Sequence, residues 1–127
     1  SPFDEQAQSK LLTLLSPDYI DGLSLLGGEP FEPDNQRALV PFLKKVRAQY
    51  PGKTIWCYTG YTFERLLDNP KQAELLKYID VLVDGKFKQA LRDESLLFRG
   101  SSNQRLIDVK ASLKANKTVL LELNYDL

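Results

Sequence analysis

The chain has 127 residues, of which 43% are hydrophobic and 27% are charged, and this composition is typical of one globular domain with a core of moderate size. Lysine and arginine together number 17, as do aspartate and glutamate, so the net charge is zero and we expect no nonspecific binding to nucleic acid or to a membrane surface. Histidine is absent and Cys57 is the single cysteine, which excludes imidazole triads, histidine-ligated metals and an internal disulfide within these residues. A lone cysteine also favours a reducing, cytoplasmic compartment, and no apolar run approaches the roughly 20 residues that a membrane-spanning helix needs.

The first half of the chain alternates helical and extended patterns. Residues 5–15 are predicted to form a helix, because leucines recur there at a spacing close to one helical face. Residues 19–26 predict a first, buried strand, which runs into the turn Gly27-Gly28-Glu29-Pro30. A second helix is predicted to begin at Pro33 and to end before the stop signal Pro51-Gly52.

The second half continues the alternation with shorter elements. Residues 54–59 are rich in β-branched and aromatic side chains and predict a strand, and residues 80–84 predict another. Between them lie a helical stretch at 63–67 and a new helix that starts at Asn69. The remaining expectations are a short helix within 88–93, a polar loop at 99–105, a weakly indicated strand at 106–109, a helix at 110–115 and a last strand at 118–123.

Strands that alternate with amphipathic helices indicate parallel βαβ units. The strands are too few for a closed eight-stranded barrel, which needs about 250 residues. We therefore predict an α/β fold, a partial (open) βα barrel with a mostly parallel sheet, as one domain over residues 1–127. Because the pattern begins with a helix and without methionine, we expect a fragment whose first strand is missing.

The carboxyl ends of parallel strands meet at one edge of a sheet, and in this chain those ends are rich in polar residues and glycines. Carboxylates there can hold an ammonium, a lysine can hold a carboxylate, and glycines permit close approach, so the edge is a candidate binding site. The residues in question are Gly27, Gly28, Glu29, Thr59, Gly60, Asp84, Gly85 and Lys86.

Plainer interpretations of the same residues stay open. The turn at Glu29 is also typical of a tight strand-to-helix connection with a solvated carboxylate. Asp84-Gly85 is also a signal for a two-residue hairpin, and Asp84 beside Lys86 can form an ordinary ion pair. Cys57 lies in an apolar strand and is interpreted as a small buried side chain rather than a nucleophile.

Four segments in one order resemble a known family: GGEP at 27–30, WCYTGY at 56–61, VDGKF at 83–87 and RGSSNQR at 99–105. They are similar to the anaerobic ribonucleoside-triphosphate reductase activating proteins, which are radical S-adenosylmethionine enzymes. The resemblance implies a [4Fe–4S] cluster and S-adenosylmethionine at the open end of a partial barrel. It also implies an electron donor such as a flavodoxin, and a reductase partner on which a glycyl radical is generated.

The resemblance implies roles for individual residues. Gly27, Gly28 and Glu29 would hold the amino group of the methionyl moiety. Asp84 and Lys86 would lie near its carboxylate, and Thr59 would line the pocket. The loop at 99–105 would be a weaker candidate for the nucleoside end or for the reductase contact.

The chain departs from the family in one respect. The family holds its cluster with three cysteines in a CxxxCxxC loop after the first strand, and no such motif is present here. A truncation that removes the first strand and the cluster loop would explain both gaps, and this fragment alone would be inactive. The alternatives are a catalytically silent binding module, and an activase for another glycyl radical enzyme such as pyruvate formate-lyase.

Overall fold

The computed structural model describes residues 5–15, 22–25 and 28–122. Within these ranges the helices are α1 (Glu5–Leu14), α2 (Pro33–Gln49), α3 (Phe63–Asp68), α4 (Pro70–Leu76) and α5 (Val109–Ala115), and a 3₁₀ turn covers Gln89–Leu91. The strands are β1 (Gly22–Leu25), β2 (Thr54–Tyr58), β3 (Val81–Asp84) and β4 (Arg105–Asp108). The predicted α/β class is confirmed. None of the described helices has the length and apolar character that crossing a membrane requires.

The four described strands form one open sheet in the order β1-β2-β3-β4. β1 pairs with β2 and β2 pairs with β3 in parallel, so their carboxyl ends meet at one edge as predicted. β4 lies antiparallel to β3, so the prediction of a mostly parallel sheet holds for the pairs β1–β2 and β2–β3 and not for β3–β4. The connection over residues 85–104 explains the direction, because it contains a 3₁₀ turn and no crossover helix that could carry the chain back across the sheet. The sheet is therefore mixed, and the partial barrel stays a prediction.

The strand predicted at 118–123 is reduced to a single bridge in the described part of the chain. Leu120 forms an isolated antiparallel bridge with Ile107 of β4. Two backbone hydrogen bonds hold it, from Asp108 to the carbonyl of Val119 at 2.9 Å and from Leu121 to the carbonyl of Leu106 at 2.9 Å. Residue 123 lies outside the described residues, so the expectation of a full strand is corrected only as far as residue 122.

One face of the sheet carries the core. Ile55 of β2, Leu82 of β3 and Ile107 of β4 have no solvent exposure, and Phe42 and Leu43 of α2 pack into the same cluster. Burial of an apolar side chain of this size stabilises the fold by roughly 1.5–3 kcal/mol. Trp56 and Tyr58 alternate with the buried positions of β2 and are only partly buried, so they face the other side of the strand.

Two short helices, α3 and α4, follow β2, and each begins at its own capping residue. The hydroxyl of Thr62 accepts a hydrogen bond from the amide of Arg65 at 3.3 Å and caps α3. The side-chain oxygen of Asn69 accepts from the amides of Lys71 at 3.1 Å and Gln72 at 3.3 Å and caps α4. The predicted helix start at Asn69 is confirmed, and each such cap contributes about 1 kcal/mol.

A buried ion pair fixes β4 to the carboxyl end of β3. Asp84 is 1% exposed and lies opposite Arg105 in the antiparallel register. The guanidinium donates from Nε to Oδ1 at 3.0 Å and from Nη2 to Oδ2 at 2.6 Å. The amide of Phe63 donates to Oδ2 at 2.8 Å, so the same carboxylate also holds the start of α3. A buried carboxylate requires this kind of compensation, because removal of its cation typically costs 3–5 kcal/mol.

The ion pair extends outward to Glu64. Arg105 also donates to the two Glu64 oxygens, at 2.6 Å and 3.1 Å, and the hydroxyl of Thr118 donates to Glu64 at 2.7 Å. The hydrogen bonds from Arg105 are the main reason that the pKa of Glu64 falls to about 2. The two carboxylates in turn raise the pKa of Arg105, so this group stays charged.

The close approach of β1 to β2 gives a first prediction. A Cβ added at Gly22 would lie 2.2 Å from the backbone oxygen of Thr54, its partner in the register. We expect Gly22→Ala to lower the free energy of unfolding by about 1–3 kcal/mol, because the strands must separate to admit the methyl group. Urea unfolding measures this, with Gly52→Ala as the matched control, since a Cβ at Gly52 meets nothing within 4 Å. Equal stability of the two variants would contradict the pairing of β1 with β2.

The Glu64 contact gives a prediction on pH. The pKa of Glu64 is about 2 in the folded chain against an ordinary value of 4.5, so the stability it contributes is present above pH 4.5 and is lost as the pH falls toward 2. We expect Glu64→Gln to reduce the free energy of unfolding near neutral pH, and the difference from the wild type to shrink in that acid range. Urea unfolding at several pH values tests this. A difference that stays constant with pH would show that Glu64 does not titrate in contact with Arg105.

Candidate ligand site at the carboxyl ends of the strands

The structure brings the ends of β1 and β2 together through the side chain of Glu29. Its Oε2 accepts a hydrogen bond from the hydroxyl of Thr59 at 2.8 Å, and its Oε1 accepts from the amide of Gly60 at 2.7 Å. The amide of Phe31 completes the set with a bond to Oε2 at 3.1 Å. Glu29 and Thr59, which were predicted from separate strands, therefore lie together at this edge of the sheet.

Thr59 is buried and holds this arrangement in place. Besides its bond to Glu29, its hydroxyl accepts from the amide of Tyr61 at 3.2 Å. Its own amide donates to the carbonyl of Val83 at 3.0 Å, which ties the end of β2 to β3. Thr59 therefore orients the Glu29 carboxylate from a fixed position.

The glycines next to Glu29 leave room on its outer side. Gly28 is exposed, and a Cβ there would meet only the side-chain amide of Asn35 at 3.5 Å. A Cβ at Gly60 would lie 3.5 Å from Oε1 of Glu29, in the space beside the carboxylate. Neither glycine is required for packing within the described chain, so the space beside Oε1 is open to a ligand. Gly27 lies outside the described residues.

Glu29 carries a charge that no described residue neutralises. The three groups that donate to it are two backbone amides and a hydroxyl, and it forms no ion pair with the described part of the chain. A carboxylate offers roughly four lone-pair directions, so acceptor capacity remains on Oε1. The charge of Glu29 also affects Cys57: burial is the larger cause of the raised pKa of this thiol, and the negative charge of Glu29 is the smaller one. The chemistry of this group suits an ammonium ligand.

Asp84 lies at the same edge but is already neutralised by Arg105, as described above. Sequence reasoning missed this partner, and the ion pair of Asp84 with Lys86, which was one of the plainer alternatives, is not formed. A buried carboxylate such as that of Asp84 needs a cationic partner, but the sequence does not show which arginine lies beside it. The antiparallel register of β3 and β4 shows that this partner is Arg105. The two-residue hairpin at Asp84-Gly85 is also absent, because β3 pairs with a strand that begins at residue 105.

Lys86 follows Asp84 and is exposed. Its backbone carbonyl accepts from the side chain of Asn103 at 2.8 Å, while its ammonium forms no ion pair with a described residue. Gly85 between them has φ 95°, a left-handed conformation that glycine adopts without strain, and this turn separates the two side chains. Lys86 is therefore available to an anionic group.

The loop at 99–105 uses its polar side chains to hold its own backbone. Oε1 of Gln104 accepts from the amides of Gly100 at 2.9 Å and Ser101 at 3.1 Å, and Nε2 donates to the carbonyl of Gly85 at 3.0 Å. Arg99 donates to the carbonyl of Gln104 at 2.7 Å. The loop is therefore folded against the end of β3, rather than offering these groups to a ligand.

The described residues do not fit a [4Fe–4S] cluster. Cys57 is buried in β2, and burial raises the pKa of its thiol, whereas a cluster ligand must be a thiolate. No group of three or more cysteine, histidine, aspartate or glutamate side chains in the described part of the chain could hold a metal ion. The sequence contains no second cysteine.

Comparison with known proteins supplies a family. A family model described as a 4Fe-4S single cluster domain matches residues 1–107. The anaerobic ribonucleoside-triphosphate reductase-activating protein of Pasteurella multocida is 46% identical over 105 residues, covering 81% of this chain and 66% of that protein. The protein of the same name from Enterobacteria phage T4 is 43% identical over 104 residues, covering 82% and 64% respectively. That from Escherichia coli is 42% identical over 105 residues, covering 81% and 67%.

No solved structure matches the chain. The chain spans about two-thirds of the length of the curated relatives it matches, at 64–67%. The match of the family model and the identity to these relatives agree with the resemblance seen in the four sequence segments. The chain belongs to the family of anaerobic ribonucleoside-triphosphate reductase-activating proteins.

Proposed function

We propose that the chain binds S-adenosylmethionine at the carboxyl ends of β1, β2 and β3, as part of an activating protein for the anaerobic ribonucleoside-triphosphate reductase. The names of its relatives support the reductase as the target. The single structural observation that supports the ligand is the Glu29 carboxylate, which is held by neutral donors and has no cation among the residues that the structure describes. A methionyl ammonium supplies that cation.

The proposal gives each residue of the site a role. Glu29 binds the amino group through the free capacity of Oε1, and Thr59 keeps the carboxylate in position. Lys86 pairs with the carboxylate of the ligand. Gly27 and Gly28 allow the ligand to approach the backbone. Asp84 acts indirectly, because its bonds to Arg105 and Phe63 fix the end of β3 from which Lys86 follows.

The iron–sulfur cluster is not assigned to residues of this chain. A [4Fe–4S] cluster requires several cysteine ligands, and these 127 residues contain one cysteine. Bound S-adenosylmethionine would supply the precursor of a radical. For the activating protein as a whole we propose a cluster on thiolates outside these residues, and an electron donor such as a flavodoxin.

The ligand proposal is tested by charge removal at Glu29. We expect Glu29→Gln to weaken S-adenosylmethionine binding about tenfold or more, because a hydrogen bond between charged groups contributes about 1.5–3 kcal/mol. Isothermal titration calorimetry measures the affinity, and circular dichroism checks that the variant is folded. Glu74→Gln is the matched control, since Glu74 is exposed on α4 and forms no ion pair with a described residue.

A second ligand sharpens this test. Methylthioadenosine keeps the nucleoside and lacks the amino acid, so its affinity should be the same for the wild type and Glu29→Gln. Equal loss for both ligands would show that the substitution damages the fold of the site. Unchanged affinity for S-adenosylmethionine would show that Glu29 does not bind the amino group.

A binding module without redox activity is the second candidate, and the single cysteine favours it for this chain alone. On this basis we expect anaerobic reconstitution with iron and sulfide to give no cluster absorbance, while S-adenosylmethionine binding is retained. The full chain is used for both measurements. Formation of a stable four-iron cluster on the chain would contradict the assignment of the thiolates to residues outside it.

A further inference from the structure

The connection between β3 and β4 exposes an unusual amount of apolar surface. Among the described residues, half of the large exposed apolar side chains lie between positions 87 and 98, and Phe87 and Phe98 are 46% and 50% exposed. We define the loop surface as Phe87, Lys88, Leu91, Leu97 and Phe98. Exposed apolar patches of this kind typically mark sites of interaction with other proteins.

Backbone pairing holds the base of this connection. Arg92 forms an antiparallel bridge with Ser101. The amide of Asp93 donates to the carbonyl of Gly100 at 3.1 Å, and the amide of Ser102 donates to the carbonyl of Leu91 at 2.9 Å. The loop surface is therefore carried on a folded segment.

Both aromatic rings are packed on one side and open to solvent on the other. The ring of Phe98 lies 5.0 Å from that of Trp56 on β2, with a tilt of 57°. The ring of Phe87 lies so close to Gly100 that a Cβ there would be 2.9 Å from it. Pre-positioned aromatic side chains lose little conformational freedom when a partner covers them, which is why they dominate binding energy at protein interfaces.

The backbone at Phe98 is strained. Its φ is 65°, in the left-handed region that a bulky residue without local compensation avoids. Such strain costs of order 1–3 kcal/mol and persists where the surrounding structure requires it. Here the strained conformation places half of a phenylalanine ring in solvent.

Charge indicates what kind of partner fits. Residues 86–99 contain four cationic and two acidic side chains in a chain whose net charge is zero. Arg92 pairs with Glu94 at 2.6 Å and Arg99 donates to a carbonyl, whereas Lys88 is exposed and forms no ion pair with a described residue. A second copy of the chain docked symmetrically would bring these positive surfaces together, so charge opposes self-association here.

We infer that the loop surface docks a polypeptide segment of the reductase that carries apolar and acidic side chains. The inference rests on the proposed function, because it names where the protein to be activated is held. Phe87 and Lys88 directly follow Lys86 in the chain, so a segment docked on them also lies next to this residue of the candidate ligand site. Phe87 and Phe98 supply the apolar contact, and Lys88 supplies the contact to a carboxylate.

The test uses the full chain and the purified reductase under anaerobic conditions, with affinity measured by titration calorimetry. Phe98→Gly removes the ring and is compatible with φ 65°, and Lys88→Glu reverses the charge. We expect each variant to bind the reductase at least about tenfold more weakly. Leu113→Ala and Lys114→Glu are matched controls on α5, where both residues are exposed, and they should bind like the wild type.

Further measurements separate this inference from the proposed function. Phe98→Gly and Lys88→Glu should keep the wild-type affinity for S-adenosylmethionine, and hydrogen exchange in the wild type should slow at residues 87–98 when the reductase binds. Wild-type reductase affinity in both variants would overturn the docking surface and leave the proposed function intact. No binding of the reductase by the wild type would overturn the docking surface, whereas S-adenosylmethionine binding and its loss in Glu29→Gln decide the ligand proposal separately.

Discussion

The buried carboxylate of Asp84 is the constraint on which this edge of the sheet depends. Asp84 is 1% exposed, and a carboxylate this deeply buried needs a cationic partner. Arg105, the first residue of β4, forms a bidentate ion pair with it. This contact sets the antiparallel register of β4, and the bond from Phe63 to the same carboxylate sets the start of α3. The pair also removes Asp84 from the groups that a ligand can reach. These contacts within the chain therefore hold this edge of the sheet together.

Glu29 lies at the same edge, but unlike Asp84 it forms no ion pair with a described residue. Its hydrogen bonds come from Thr59 and from two amides, so its geometry is fixed while no residue in the described part of the chain balances its charge. A partly buried carboxylate in this condition interacts favourably with an ammonium that needs no rearrangement of the site. The difference between the two carboxylates is therefore electrostatic: Asp84 is paired with the guanidinium of Arg105, and Glu29 has no cationic partner among the described residues.

Much of the fold could be predicted from local signals, and the remainder depends on contacts between distant residues. Asn69 before a proline marked the start of α4, and strand ends followed from glycines and polar residues, because these residues act through their own backbone. The direction of β4 could not be predicted, because residues 85–104 lack a clear periodicity and their path decides it. Arg105 was missed as the partner of Asp84 for the same reason. At the candidate site, the parallel strands predicted that Glu29 and Thr59 lie close together. The hydrogen bonds that hold the loop at 99–105 could not be predicted, because they depend on side-chain positions that only the structure shows.

Cys57 is the single cysteine and is buried, so the proposal concerns a bound ligand and the position of its amino group. A crystal structure of the chain with S-adenosylmethionine tests it most directly. We expect the methionyl nitrogen within hydrogen-bonding distance of Oε1 of Glu29, with the bonds from Thr59 and Gly60 retained. A ligand bound elsewhere, with Glu29 in contact only with Thr59, Gly60 and Phe31, would contradict the account.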